Sequence, residues 1–223
     1  MDKKVYNSIK DIDLSKYEYL LFDLDGTLTD SSEGIVNSVI YALDKVGIKE
    51  NDRGKLLNFI GPPLQASFEK YYGFTPEEAR DVIVYYRECY EKKGMFENKL
   101  YDGIEDTLKF FKDNGKKIML ATSKAEEYAY MILEHFNIRQ YFDYVAGASL
   151  EIKRTAKKDV IIYGCEKFNE TSLETAISKS IMIGDTIFDI EGAKACGMDS
   201  IGVLYGFGDM EEFKDAAYIA ENP

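Results

Sequence analysis

The run Tyr19-Leu20-Leu21-Phe22 is uninterrupted apolar sequence, and it stops at Asp23-Leu24-Asp25-Gly26. A short apolar run bounded by turn residues reads as a buried strand. In open parallel sheets, ligands bind outside the carboxyl ends of the strands, which is where Asp23 and Asp25 fall. Gly26 lets the backbone turn sharply and approach a ligand closely. Two carboxylates spaced i, i+2 repel each other and become useful beside a divalent cation. Magnesium takes few protein carboxylates, several waters and a phosphate oxygen. A lone Asp-x-Asp is by default a strand ending in a polar turn with a helix cap. Asp-x-Asp-Gly-Thr after an apolar strand is a more specific signal.

The next 65 or so residues read as helical. Ile35, Val36, Val39, Ile40, Leu43 and Val46 recur at helical spacing, with Ser31 or Ser32 to cap the start and Gly47 to end the helix. Residues 51–72 read as short helices around Gly61-Pro62-Pro63. Thr75-Pro76-Glu77-Glu78 is a capping box with proline at the first helical position, opening a helix with Ala79, Val82, Ile83, Tyr86 and Tyr90.

From Asp102 the rhythm changes to alternation. Strands are predicted at 117–121, 144–147, 180–184, 200–204 and 217–220, and helices at 104–112, 125–136, 157–168 and 188–196. Such alternation means βαβ units and a parallel sheet covered by helices. The first strand alone is too small to be a domain and belongs to this later sheet. The expected architecture is therefore an α/β, Rossmann-like core of residues 1–30 and 102–223, interrupted by an all-helical cap of residues 31–101. An insertion after a strand's carboxyl end is where a lid belongs.

Three further stretches carry chemistry. Leu120-Ala121-Thr122-Ser123-Lys124 ends a strand in two hydroxyls and a lysine before a helix. That set suits a phosphate, although Thr122 or Ser123 serves equally as a plain N-cap. Residues 153–159, Lys-Arg-Thr-Ala-Lys-Lys-Asp, form a charge cluster before a helix, usually a solvated one. Ile183-Gly184-Asp185-Thr186-Ile187-Phe188-Asp189 again ends an apolar strand at an acid, with a second acid four residues on.

In their order and separation these stretches resemble the haloacid dehalogenase superfamily, whose phosphatases carry DxDGTLxDS; Asp23 through Ser31 match it throughout. The resemblance covers nearly the whole chain and implies a core with a helical cap after the first motif. It implies that Asp23 is the nucleophile and Asp25 the general acid and base, with the Asp25 backbone carbonyl also on the metal. Thr122 would hold the phosphoryl group, with Ser123 and Gly26 adding contacts. One lysine at the helix start would reach nucleophile and phosphate. Lys157 fits best, with Lys158 and Lys153 as alternatives; helical geometry puts Lys157 and Lys158 about 100° apart, so only one points inward. Asp185 would ligate Mg²⁺ directly, and Asp189 would do so through water or orient its neighbours. Four carboxylates give −4 in one crevice, and Mg²⁺ with Lys157 would bring it to −1, so the metal is needed to admit a phosphate dianion. Many relatives have Lys-Pro where this chain has Lys157-Lys158, and relatives usually add a helix after the last strand, which would leave one sheet flank less covered here. The cap turn Gly61-Pro62-Pro63-Leu64 reads equally as a helix-breaking linker, and the resemblance implies a loop presented to substrate.

The chain has 223 residues, enough for one domain with an accessory unit. Lys and Arg number 28 against 40 Asp and Glu, a net −12, which disfavours nucleic acid or an anionic membrane as partner. Cys89, Cys165 and Cys196 form no metal or redox spacing and read as reduced thiols of a cytoplasmic protein. No apolar run is long enough to span a bilayer. His135, the only histidine, lies late in a helix and reads as structural or surface. The expected protein is a monomer or homodimer acting on a small phosphorylated metabolite such as phosphoglycolate or a nucleotide or sugar phosphate, with Mg²⁺ as cofactor. Asp25 argues against a dehalogenase, because a halide needs no protonation. A β-phosphoglucomutase-like phosphomutase is the alternative, and a non-catalytic phosphate sensor a more distant one.

Overall fold

Seven parallel strands make the main sheet. The computed structural model describes residues 4–149, 154–168 and 172–223. Its elements are β1 (Val5–Ser8), β2 (Tyr19–Phe22), β3 (Thr29–Asp30), α1 (Ser32–Lys45), α2 (Arg53–Leu56), α3 (Leu64–Tyr72), α4 (Pro76–Lys92) and β4 (Lys99–Leu100). They continue with α5 (Ile104–Asp113), β5 (Lys117–Ala125), α6 (Glu126–His135), β6 (Tyr144–Ala148), α7 (Lys157–Cys165) and α8 (Leu173–Ser178). The last are β7 (Ser180–Gly184), α9 (Ile187–Cys196), β8 (Asp199–Val203) and β9 (Tyr218–Asn222). The sheet order is β1-β9-β8-β7-β2-β5-β6, and β3 and β4 form a separate two-stranded pair. None of the described helices is long and apolar enough to cross a membrane.

The chain divides into two compact units, one of residues 1–29 with 100–223 and one of residues 30–99. In the first, β2 lies inside the sheet between β7 and β5, and all four of its residues are buried, a pattern that suits a strand covered on both faces. Tyr19 and Leu21 pack with Met119, Ala146 and Met182 against Val160, Ile161 and Cys165 of α7 and Ala193 of α9. The alternate residue Phe22 lies 6.5 Å, centroid to centroid, from Phe111 of α5. Each such fully buried side chain contributes about 1.5–3 kcal/mol.

The second unit is helical. α1 packs against α4, burying Ile35, Val36, Val39 and Leu43 on one helix and Ala79, Val82, Tyr86 and Tyr90 on the other. The capping box at α4 forms as its sequence predicts: Thr75 Oγ1 accepts the Glu78 N–H and Glu78 Oε2 accepts the Thr75 N–H. Phe59, Phe68, Tyr71, Tyr72 and Phe74 form an aromatic cluster around α3.

Several boundaries differ from the sequence reading. β5 runs on through Thr122 and Ser123 to Ala125, so α6 starts at Glu126. Ala125 finds a partner in Ala148 of β6 after a shift in register, and that pairing carries the strand past the polar residues. α7 ends at Cys165, short of Phe168. β1 is a strand in a stretch whose sequence is mixed and polar. It pairs in parallel with β9 and occupies the sheet flank that the chain's last strand would otherwise leave open. α8, six residues long, is likewise unannounced by periodicity. His135 is exposed at the end of α6.

Candidate active site

Register brings the chemistry together. Phe22 of β2 pairs with Leu120 of β5 on one side and with Ile183 of β7 on the other. The next residues, Asp23, Ala121 and Gly184, therefore stand at one level, with Thr122 and Asp185 one residue beyond. The chain adds β5 and β6 on one side of β2 and then returns to β7, β8 and β9 on the other. Such a reversal of strand order opens a crevice at the strand ends.

Asp23, Asp185 and Asp189 each present a carboxylate oxygen, all within 4.8 Å of one another. Asp23 is 7% exposed, and the other two are fully buried. The Asp23 N–H still donates to Ile183 O at 2.9 Å, so its backbone is fixed by the sheet. Asp185 is held from both sides: Thr27 Oγ1 donates to Oδ1 at 3.0 Å and the Phe207 N–H to Oδ2 at 2.9 Å. Gly26, at φ +85°, passes so close to Asp185 that a β-carbon there would collide with the carboxylate. Burial, and then the charges of Asp189 and Asp23, push the Asp185 carboxyl well above the usual range.

Lys157 answers the ambiguity among the lysines. It is the first residue of α7, buried, and its Nζ lies 2.8 Å from Asp23 Oδ1 and 2.7 Å from Asp189 Oδ1. It donates to Ala121 O at 3.1 Å and ion-pairs with the two carboxylates. Lys158 is exposed, and Lys153 lies outside the described residues. Burial alone would lower the Lys157 pKa; Asp189 and Asp23 outweigh it and hold the ammonium above its usual range. Asp189 sits in the first turn of α9, where its Oδ2 accepts the Thr186 N–H at 3.1 Å and the Thr186 hydroxyl at 3.2 Å. Burial raises the Asp189 carboxyl, against the pull of Lys157. Both its oxygens are thus engaged, one in capping α9 and one in orienting Lys157.

Thr122 is buried and Ser123 half-buried, both in the irregular end of β5 rather than at a helix start. Thr122 Oγ1 accepts the Lys124 N–H at 3.2 Å. The helix expected from Ala125 begins at Glu126, four residues past Thr122. Lys124 turns its Nζ onto Asp25 Oδ2 at 3.0 Å, a second nearly buried ion pair. Asp25 Oδ1 is buried with no hydrogen-bond donor. Against four carboxylates the crevice thus holds two ammonium groups, not the one expected from sequence.

Sequence reasoning missed Lys124 as a partner of Asp25 and the hold of the loop after β8 on Asp185. There Tyr205 OH donates to Thr27 O at 3.0 Å, while the Phe207 and Gly208 amides hold Asp185. The available signal was Gly206-Phe207-Gly208 shortly after a strand, a pattern that marks close backbone approach.

The donor set fits a hard divalent cation. Its oxygens are all carboxylate, three of them converge, and two ammonium groups leave negative charge uncompensated.

The haloacid dehalogenase-like hydrolase profile matches residues 20–203. The chain is 39% identical over 199 residues to the 5′-nucleotidase of Pseudomonas aeruginosa, spanning 89% of this chain and 88% of that protein. It is 37% identical over 191 residues to tyrosine-protein kinase PtkA of Mycobacterium tuberculosis, spanning 86% of this chain but 63% of PtkA. The crystal structure of "a predicted phosphatase" from Clostridium acetobutylicum is 49% identical, covers 92% of this chain and 94% of its own, and superposes with a TM-score of 0.86. With the profile spanning most of its length, and both motif-bearing strand ends inside the match, the chain belongs to the haloacid dehalogenase-like hydrolase family.

Proposed function

We propose that the protein is a Mg²⁺-dependent phosphatase that hydrolyses a small phosphomonoester through an aspartyl-phosphate on Asp23. The observation that carries this reading is the Lys157 ammonium clamped between Asp23 and Asp189, with Asp185 converging on the same point. A nucleophilic carboxylate with a fixed cation beside it is suited to an anionic electrophile. Relatives named 5′-nucleotidase and phosphatase support a phosphoric monoester as the class of substrate.

Asp23, Asp185, the Asp25 carbonyl and, through water, Asp189 would hold Mg²⁺, which supplies the positive charge that lets a phosphate dianion enter. The Asp23 carboxylate attacks phosphorus as the bond to the ester oxygen breaks. Asp25 gives its proton to that leaving oxygen, then takes one from the water that cleaves the acyl phosphate. Its Oδ1, with no donor of its own, is the acceptor at hand. Lys157 and Thr122 balance charge on the equatorial oxygens.

Phosphate release from p-nitrophenyl phosphate and a panel of metabolite esters tests the reading. Turnover is expected with Mg²⁺, to disappear with EDTA, and to fall to background in Asp23→Asn at unchanged circular dichroism. Sustained turnover by Asp23→Asn rejects Asp23 as nucleophile. A transient sugar bisphosphate with an isomerised product identifies a phosphomutase instead.

A further inference from the structure

The two ammonium groups of the site come from separate segments, Lys124 near the end of β5 and Lys157 at the start of α7. Lys124 lies where β5 loses register with β6, between Ala121 and Ala125. Lys157 opens a helix whose N-cap, Ala156, offers no side-chain bond. A third residue spans the gap. We propose that Arg154 is a positioning residue for the reaction, holding Lys124 and Lys157 in register with each other; this rests on the reading that Lys157 serves Asp23.

Arg154 stands three residues before Lys157, and its partner Glu126 two residues after Lys124. Arg154 Nη2 lies 3.0 Å from Glu126 Oε2. Its Nε donates to Gly147 O at 2.7 Å, and the Gly147 N–H donates at 3.1 Å to the same Glu126 oxygen. The guanidinium carbon lies 3.5 Å from the centroid of the Tyr163 ring on α7. The Tyr163 hydroxyl lies 3.0 Å from that of Tyr144 on β6. One side chain thus touches the start of α6, the end of β6 and the body of α7. Only a planar fork with several fixed donors can stack on a ring and bind two acceptors at once.

The Arg154–Glu126 pair is partly exposed, with side chains 20% and 28% accessible, and exposed pairs add little to stability. Its value is geometric. Lys157 must reach Asp23, Asp189 and Ala121 O together, and small misplacement of a charge-balancing group costs rate more than binding.

The experiment compares wild type, Arg154→Met, Arg154→Lys and Glu126→Gln in steady-state turnover and in the ¹H–¹⁵N signal of the Lys157 ammonium. That signal is expected to be protected in wild type, where the ammonium is buried between Asp23, Asp189 and Ala121 O. In Arg154→Met we expect kcat to fall roughly tenfold to a hundredfold at little changed KM, with faster solvent exchange at Lys157. Arg154→Lys, which keeps the charge but not the fork, is expected to recover only part of both. The ammonium signal needs no substrate, so it decides the inference even where no ester is hydrolysed and the phosphatase reading fails. A wild-type Lys157 signal in Arg154→Met overturns the inference, whether or not kcat falls. If Arg154→Met does not fold, the same readings on Glu126→Gln decide, and wild-type values there overturn it.

Discussion

At the scale of single residues, Lys157 does the most. Two of its acceptors are carboxylates that would otherwise face each other out of water. Removing one member of a buried charged set leaves the others uncompensated, which costs about 3–5 kcal/mol. Lys157→Met should lose that much in urea unfolding of the metal-free protein, together with its phosphatase activity. Adding Asp189→Asn should recover part of the stability and none of the turnover. The sequence placed three lysines near this point and favoured Lys157 through the family resemblance, with Lys158 and Lys153 as alternatives. Helical geometry allowed one of the pair 157 and 158 to point inward, and packing of α7 against α9 chose it. Gly192 of α9 leaves room for the Lys157 stem: a β-carbon at 192 would lie 2.7 Å from Lys157 Cγ.

That close approach belongs to the scale of elements. Gly192→Ala should push α7 and α9 apart or swing Lys157 aside, and kcat should fall about a hundredfold, the cost of ångström-scale misplacement; an unchanged kcat would show that the helices absorb the methyl group. In the helical unit the analogous fixture is Glu50. Its Oε1 accepts the Asp52 N–H at 3.0 Å, and its Oε2 takes Lys55 at 2.9 Å and Tyr72 OH at 3.0 Å. The Asp52 amide first, then Lys55 and Tyr72, draw the Glu50 carboxyl down from 4.5 to about 2. A carboxyl lowered on folding stabilises above its unfolded value and loses that contribution as pH falls through its folded value. Glu50→Gln should therefore be less stable than wild type at neutral pH, with the difference closing between pH 4.5 and about 2. Thermal melts across that window read it directly. Long periodic helices and apolar strands were legible from sequence at this scale. β1 was not, because its pairing with β9 depends on a partner more than 200 residues away. Nor was the long end of β5, because a strand continues past polar residues only when a neighbour pairs with it, and β6 supplies that neighbour.

For the whole molecule, the site opposes the fold that builds it. Three acids within 4.8 Å, two of them fully buried, are a standing electrostatic cost. A ligand that binds only the folded state stabilises it by mass action, about 2.7 kcal/mol at a hundred times Kd. Mg²⁺ should raise the melting temperature in proportion to its concentration's logarithm, and Asp185→Asn should remove that response; a melt insensitive to Mg²⁺ would count against the cation site. Local pattern was enough to require a greasy strand ending in two acids, a second ending at one acid with another four residues on, and helices alternating with strands, because hydrophobic period and turn chemistry are local. Long-range packing was needed to separate Lys157 from its alternatives, to pair Lys124 with Asp25, and to bring the loop after β8 onto Asp185. Those are contacts between segments far apart in the chain, set by sheet register and helix packing, and no local pattern encodes the partner.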